Sequence, residues 1–330
     1  LAKADISDVW VYNNIAVTYC GNIGEAEMTI SNTELVQEAK SDIYAGSIEY
    51  SENKNQGAIL GNSTVTLGEN ITGFAAYASS CLDGYIYGTA TIIAAGVDLS
   101  QLSVEAICYR TTGTTANAVL KLGADVTQDV TLDAALPLDL NGYDITGSVT
   151  VDGTLTVKDS ATDDYDVSDG LYGEITGTVT GTLAAAEGYV AAAKGFHKFD
   201  QYISGVSLRP SNAGIYYTAT VLADEVLRNE FASQGVAVSL TDLPGADFET
   251  DGDTLYATGS NGVLVRNILT GDSEDADRGI MDIYAASYVK LKDGTVLVSD
   301  ENIAYSLYDV LCVLKTQNPE AFHSFCTTWN

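Results

Sequence analysis

Apolar and polar residues alternate over much of the chain with the two-residue period of β-strands. Val9, Trp10, Val11 and Tyr12 follow one another, with Ile15 and Val17 soon after, and this predicts one strand over residues 8–19 that is apolar on both faces and buried on both sides. Shorter strands are predicted at 63–67, 84–87, 90–95 and 102–109, separated by Gly and Asn turn signals. Asn32 and Thr33 are cap candidates for a short helix over 34–40. Residues 1–117 therefore read as an N-terminal β-sandwich.

The pattern is most regular over 118–186, where AVLKLGADV, VTLDAALPLDLNGYDI, SVTVDGTLTVKDS and EITGTVTGTL each end in Gly, Asp or Asn. Short strands with tight turns at that spacing suit a short β-solenoid or a meander. Two or three coils cannot stand alone, so this segment must pack on its neighbours. Over 187–330 strands are mixed with helices. Val226, Leu227 and Phe231 fall at helical spacing within 223–234, and Gly235 supplies a stop. Ile303, Leu307, Val310, Leu311 and Leu314 form a second stripe, and Asn318 with Pro319 opens a terminal helix carrying Phe322, Phe325 and Trp329. Strands are expected at 235–240, 254–257, 262–267, 282–291 and 294–298, with Lys292, Asp293 and Gly294 as a hairpin turn. The segment reads as an Ig-like sandwich with added helices, and the whole chain as mainly β.

Composition narrows the function. Among 330 residues, 45 are Asp or Glu and 15 are Lys or Arg, a formal charge of −30. No basic stripe is available for phosphates, and an anionic lipid surface would repel the chain, so nucleic-acid and peripheral-membrane roles are excluded. No apolar run approaches the roughly 20 residues of a membrane span. The 46% hydrophobic content, with 31 Gly and 20 Tyr, argues for a folded β-rich protein. A chain beginning at Leu1 without Met is expected of a processed, secreted protein and equally of a trimmed or renumbered one.

Candidate chemistry is sparse. The two histidines, His197 and His323, accompany no nucleophile elbow, zinc pair or Cys-His arrangement, so the chain reads as non-enzymatic. The five cysteines, Cys20, Cys81, Cys108, Cys312 and Cys326, include no Cys-x-x-Cys. Their alternatives are buried thiols, or one bridge among the first three and one joining Cys312 to Cys326. Calcium is the one metal to consider, because hard cations take clustered carboxylates. The best run is Asp159, Asp163, Asp164, Asp166 and Asp169, and the others are Asp247 to Asp253 and Asp272 to Asp277. Solvated acidic loops explain all three as well. Tyr85 with Tyr87, and Tyr216 with Tyr217, could present an aromatic platform to sugar rings or simply pack across strands. Lys290 is a candidate donor for an intramolecular Lys–Asn cross-link, which would require it to be buried.

The runs DLNGYDITG (139–147), GTLTVKDSATDDYDVSDGLYGEITG (153–177), FHKFDQYISGVSLRPSNAGIYYTATV (196–221), GVAVSLTDLPGADF (235–248) and YSLYDVL (305–311) together resemble a module of large surface and secreted proteins from anaerobic gut bacteria of the Clostridia type. The resemblance covers about 118–315 and implies a short β-helix-like segment, then an Ig-like domain, at an extracellular address. It implies no enzymatic chemistry. The resulting expectation is a structural subunit of a bacterial surface assembly, a pilus-like filament or surface layer, that self-associates. Val9, Trp10, Val11, Tyr12, Ile15 and Val17 would then form a donated strand. The alternative is an adhesin or a module that binds host or dietary glycans.

Overall fold

The computed structural model describes residues 2–11, 14–19, 23–35, 42–48, 58–73, 75–81, 84–108, 115–165, 171–209, 214–243, 247, 254–259, 263–266 and 281–328. The chain forms two compact units, Leu1–Lys198 and Phe199–Asn330.

The first unit contains β1 (Ala2–Val11), β2 (Ile15–Tyr19), β3 (Ala26–Leu35), β4 (Ile43–Ile48), β5 (Ala58–Ile59), β6 (Ser63–Leu67), β7 (Ile71–Thr72), β8 (Ala75–Tyr77), β9 (Tyr85–Ala94), β10 (Ser103–Glu105), β11 (Thr115–Leu122), β12 (Val130–Leu132), β13 (Leu138–Asp139), β14 (Val149–Lys158), β15 (Val179–Ala185) and β16 (Tyr189–Ala192). Nearly all of these strands pair in parallel. One sheet runs β1-β3-β6-β9-β11-β13-β14, and a second runs β10-β8-β4-β2. The chain alternates between the sheets, β1 to β2 to β3 to β4, so it winds as a parallel coil.

Each strand has one apolar face, as the alternating burial of β3 shows. A single coil cannot bury that face, whereas stacked coils make it continuous. The register lines up Met28, Val65, Ile92, Leu120, Leu138 and Val157 on six successive strands of one sheet, and all six are buried. Each such side chain contributes roughly 1.5 to 3 kcal/mol through burial. Val190 and Phe196 are also buried in this unit, and Phe196 closes the last coil.

The second unit starts within β17 (Gly195–Arg209), whose first four residues pair with β16 in the first unit. It continues through β18 (Gly214–Ala223), α1 (Glu225–Asn229), β19 (Phe231–Ser239), β20 (Leu255–Thr258), β21 (Val263–Arg266), β22 (Ile283–Leu291), β23 (Val296–Val298), β24 (Ile303–Tyr305), α2 (Leu307–Gln317) and α3 (Pro319–Thr328). All its strand pairs are antiparallel. Ile215 and Tyr217 of β18 meet Val236, Val238, Ile283 and Ala285 of the β19–β22 sheet in one core, and Val310 of α2 joins them. The Tyr217 hydroxyl donates to the carbonyl of Ile283 at 3.3 Å.

Several expectations are corrected. Residues 1–117 do not form a β-sandwich domain of their own, because β9 pairs in parallel with β11 across residue 117 and the two segments share one core. The division of the chain falls at residue 198, twelve residues beyond the expected 186. The single strand expected over 8–19 is two strands, and Val9 is 40% exposed. Asn32 and Thr33 lie inside β3 instead of capping a helix, and residues 36–40 lie outside the described residues. The helix expected over 223–234 shrinks to α1. Asp224 caps it by accepting the Leu227 N–H at 2.8 Å, and Phe231 and Gln234 pair with β22 instead. Three other expectations hold. Asn318 accepts the Ala321 N–H at 3.1 Å as the cap of α3, β6 has its expected bounds, and the 292–294 turn joins β22 to β23.

Candidate functional site

Three places carry the candidate residues. The first is an acidic corner where β13 and β14 end. Leu138 and Asp139 lie beside Val157 and Lys158 on the adjacent strand, which puts Asp139 and Asp159 at nearly the same level of successive coils. Asp139 accepts the N–H groups of Asn141 at 3.1 Å and Ser160 at 2.9 Å. Lys121 and Lys158 lie 3.9 and 3.7 Å from its other oxygen. Asp159 is fully buried. It accepts from the N–H groups of Gly142 at 2.8 Å, Ala161 at 3.0 Å and Gly173 at 2.5 Å. Burial pushes its carboxyl above the usual range, the three N–H groups oppose that shift, and Asp139 adds to it. A carboxylate engaged by three backbone donors from three different turns is a structural staple.

Asp163 accepts from the Tyr189 hydroxyl, so it faces a different partner from Asp159. Asp166 and Asp169 lie outside the described residues, as do Glu249, Asp251, Asp253 and residues 272–277. Among the described residues no three His, Cys, Asp or Glu side chains converge as a metal site. Sequence reasoning missed the wider pattern to which Asp159 belongs. Asp125 accepts the N–H of Asp144 at 3.0 Å, Asp144 that of Glu174 at 2.9 Å, and Asp129 that of Ser148 at 2.8 Å, each reaching the next coil. The signal was the recurrence of Asp at turn ends.

The second place is aromatic. Tyr85 and Tyr87 project from the same face of β9 with ring centroids 6.3 Å apart and planes at 26°. Tyr87 is 64% exposed. The pairing of Ile59 with Ile86 sets Leu60, itself 59% exposed, beside Tyr87. Tyr216 and Tyr217 form no comparable platform, because successive strand residues point to opposite faces and Tyr217 is fully buried.

The third place is the first strand. From Ala2 to Val11, β1 pairs with residues 26–35 of β3, and among the described residues it has no partner along its other edge. Val9 opposes Thr33, Trp10 opposes Glu34 and Val11 opposes Leu35. Tyr12 lies outside the described residues. Ile15 is buried on β2, and Val17 packs against the same core. The five described residues of the expected donated strand are thus divided between an edge strand, with Val9, Trp10 and Val11, and the interior of their own chain, with Ile15 and Val17.

The remaining chemistry is bland. His197 is buried with its ring 4.9 Å from that of Tyr172, and His323 is exposed on α3. Lys290 is exposed on β22, so it lacks the burial a cross-link requires. A recess of about 60 Å³ is lined by Ala219, Val221, Arg228, Gln234, Gly235 and Gly259. That is well below the roughly 300 Å³ of a small-molecule pocket. Arg228 is engaged there by the carbonyls of Val221 and Ala223. No helix among the described residues is long and apolar enough to cross a membrane. Comparison with protein-family models, curated proteins and solved structures returned no match.

Proposed function

We propose that the chain is a non-enzymatic structural subunit of an extracellular bacterial assembly, a pilus-like filament or surface layer, whose subunits join along the sheet edge presented by β1. The observation that carries this reading is that, among the described residues, this ten-residue strand pairs on one side only. Unpaired N–H and C=O groups along a strand edge are a template for another strand. Val9, Trp10, Val11 and Tyr12 would lie at the junction, while Ile15 and Val17 fix the coil behind it. At the other end of the same sheet β15 pairs only with β14 among the described residues, so a head-to-tail contact has an edge on each side. The second unit, with two antiparallel sheets around one core, is read here as an Ig-like sandwich with helices added. The extracellular address rests on the resemblance of residues 118–315.

Negative-stain electron microscopy of the intact chain tests the proposal. Filaments or sheets are expected, and removal of residues 1–11 should abolish them while the rest stays folded. Dispersed monomers from the intact chain at all concentrations would overturn it.

A second reading, glycan binding, is favoured by one observation, the stacked and exposed Tyr85–Tyr87 pair beside Leu60. Its test is binding to a glycan array, lost in Tyr87→Ala.

A further inference from the structure

A buried cluster of reactive groups lies inside the coil, away from the three places described above. Cys81 and Cys108 are 3% and 1% exposed and belong to one buried group with Tyr44, Ala75 and Tyr77. Both are thiols in this structure. The strands that lead to them, β8 and β10, are parallel neighbours with Ala75 beside Ser103 and Tyr77 beside Glu105. Beyond the strands, two hydrogen bonds keep the coils together. The Ala78 N–H donates to Glu105 O at 2.9 Å, and the Cys108 N–H donates to Ser79 Oγ at 2.9 Å.

The second of these bonds holds Cys108 against Ser79, two residues before Cys81. Neighbouring strands are about 4.8 Å apart, and a disulfide needs Cα atoms roughly 4.4 to 6.8 Å apart. The Tyr44 hydroxyl marks where the side chains meet. It lies 3.9 Å from Cys108 Sγ and donates to Asp42 at 3.1 Å. Burial first, then Asp42, Cys108 and Cys81, push its ionisation upward, so both sulfurs are within its electrostatic reach.

We propose that Cys81 and Cys108 form a disulfide that staples two neighbouring coils when the chain folds in an oxidising environment. With a low-molecular-weight disulfide as oxidant, one cysteine thiolate attacks it and releases one thiol. The second cysteine thiolate then displaces the other. One S–S bond forms in the protein, one breaks in the oxidant, and the two cysteine protons leave on the two released thiols. Because both sulfurs are buried, exchange takes place during folding or transient opening of the coil. This inference does not depend on the assembly reading.

The test is to refold the intact chain in a glutathione redox buffer and, separately, in excess reductant, then denature, alkylate and map peptides without reduction. The expected result is a single linked peptide pair containing Cys81 and Cys108. The chain should be about 2 Da lighter, and its Tm should lie about 5 °C or more above that of the reduced form. Cys81→Ser and Cys108→Ser should each abolish that redox-dependent difference. If these variants do not fold, the peptide map of the unaltered chain decides alone. Full alkylation of Cys81 and Cys108 after oxidative refolding, or linkage of either to Cys20, Cys312 or Cys326, would overturn the proposal.

Discussion

The side-chain amide of Asn70 donates to Oδ1 of Asn32, 38 residues earlier, at 2.9 Å, and both residues sit at positive φ, 56° and 45°. Asp8, opposite Asn32 in the register of β1 with β3, is also left-handed at 55°. Three successive coils therefore bend at one level on residues that tolerate this conformation because a short polar side chain can hydrogen-bond locally. Two separable contributions follow. Asn32→Ala should lose both the bond and the tolerance, lowering stability by about 2 kcal/mol, while Asn32→Gly should lose only the bond, about 1 kcal/mol. Urea denaturation of the two variants checks this, and equal losses would refute the conformational part.

Coil corners impose a second constraint, on backbone approach. A Cβ at Gly147 would lie 1.8 Å from the carbonyl oxygen of Gln128, and one at Gly177 would lie 1.9 Å from that of Gly147. Backbone stacks on backbone there, so no side chain can give way. Gly147→Ala should cost about 3 kcal/mol or more, seen as a large drop in Tm. Gly24→Ala, with nothing within 4 Å of the added carbon, is the control and should be nearly neutral.

These corners also explain how much could be read from the sequence. The two-residue period was legible, and β6, β22 and the 292–294 turn follow from it. The partner of each strand was not. Sandwich and coil strands share the same alternation, and what separates them is a constant repeat length. Here the register steps by 24, 37, 27, 28, 18, 19 and 28 residues from coil to coil. The two shortest steps fall within 118–186, the segment whose pattern is regular enough to read. The helix expected over 223–234 was lost for a related reason, since residues 231–239 pair with β22 and residues 235–238 also with β20, and tertiary pairing overrides a single helical turn. Of the candidate sites, the acidic run was visible as composition, but its role was not. A carboxylate that binds a cation and one that accepts three backbone N–H groups look alike until the turns around it are placed.

Asp159 provides the third prediction. Asp159→Asn keeps the shape but turns one oxygen into an N–H₂ donor facing backbone donors. Loss of at least one buried charge-assisted bond, together with the clash of donors, should cost about 2 to 4 kcal/mol. Thermal denaturation measures this. If calcium raised the Tm of the unaltered protein and not of the variant, Asp159 would be a cation ligand and the staple assignment would fail.

The fourth prediction concerns pH and sets two carboxylates against each other. Asp309 forms a capping box at the start of α2, its carboxylate accepting from the Ser306 hydroxyl at 2.5 Å and the Ser306 N–H at 3.0 Å. Those bonds favour the ionised form, the hydroxyl most, and hold its carboxyl below the usual range. The folded state therefore releases this proton more readily than the unfolded state. Its contribution is present above the unfolded value of about 3.9 and is lost as pH falls through the lower folded value. At Asp159 burial has the opposite sign. The folded state holds the proton more tightly, so the contribution from its titration is present below about 3.9 and is lost as pH rises through the higher folded value. Asp309→Asn should flatten the acid-side fall in stability of the second unit below about pH 4. Asp159→Asn should remove a loss that the first unit shows as pH is raised above that point. Urea midpoints between pH 2.5 and 7, followed separately for the two units by hydrogen exchange, distinguish the effects. The same direction of change in both variants would mean that one of the two assignments is wrong.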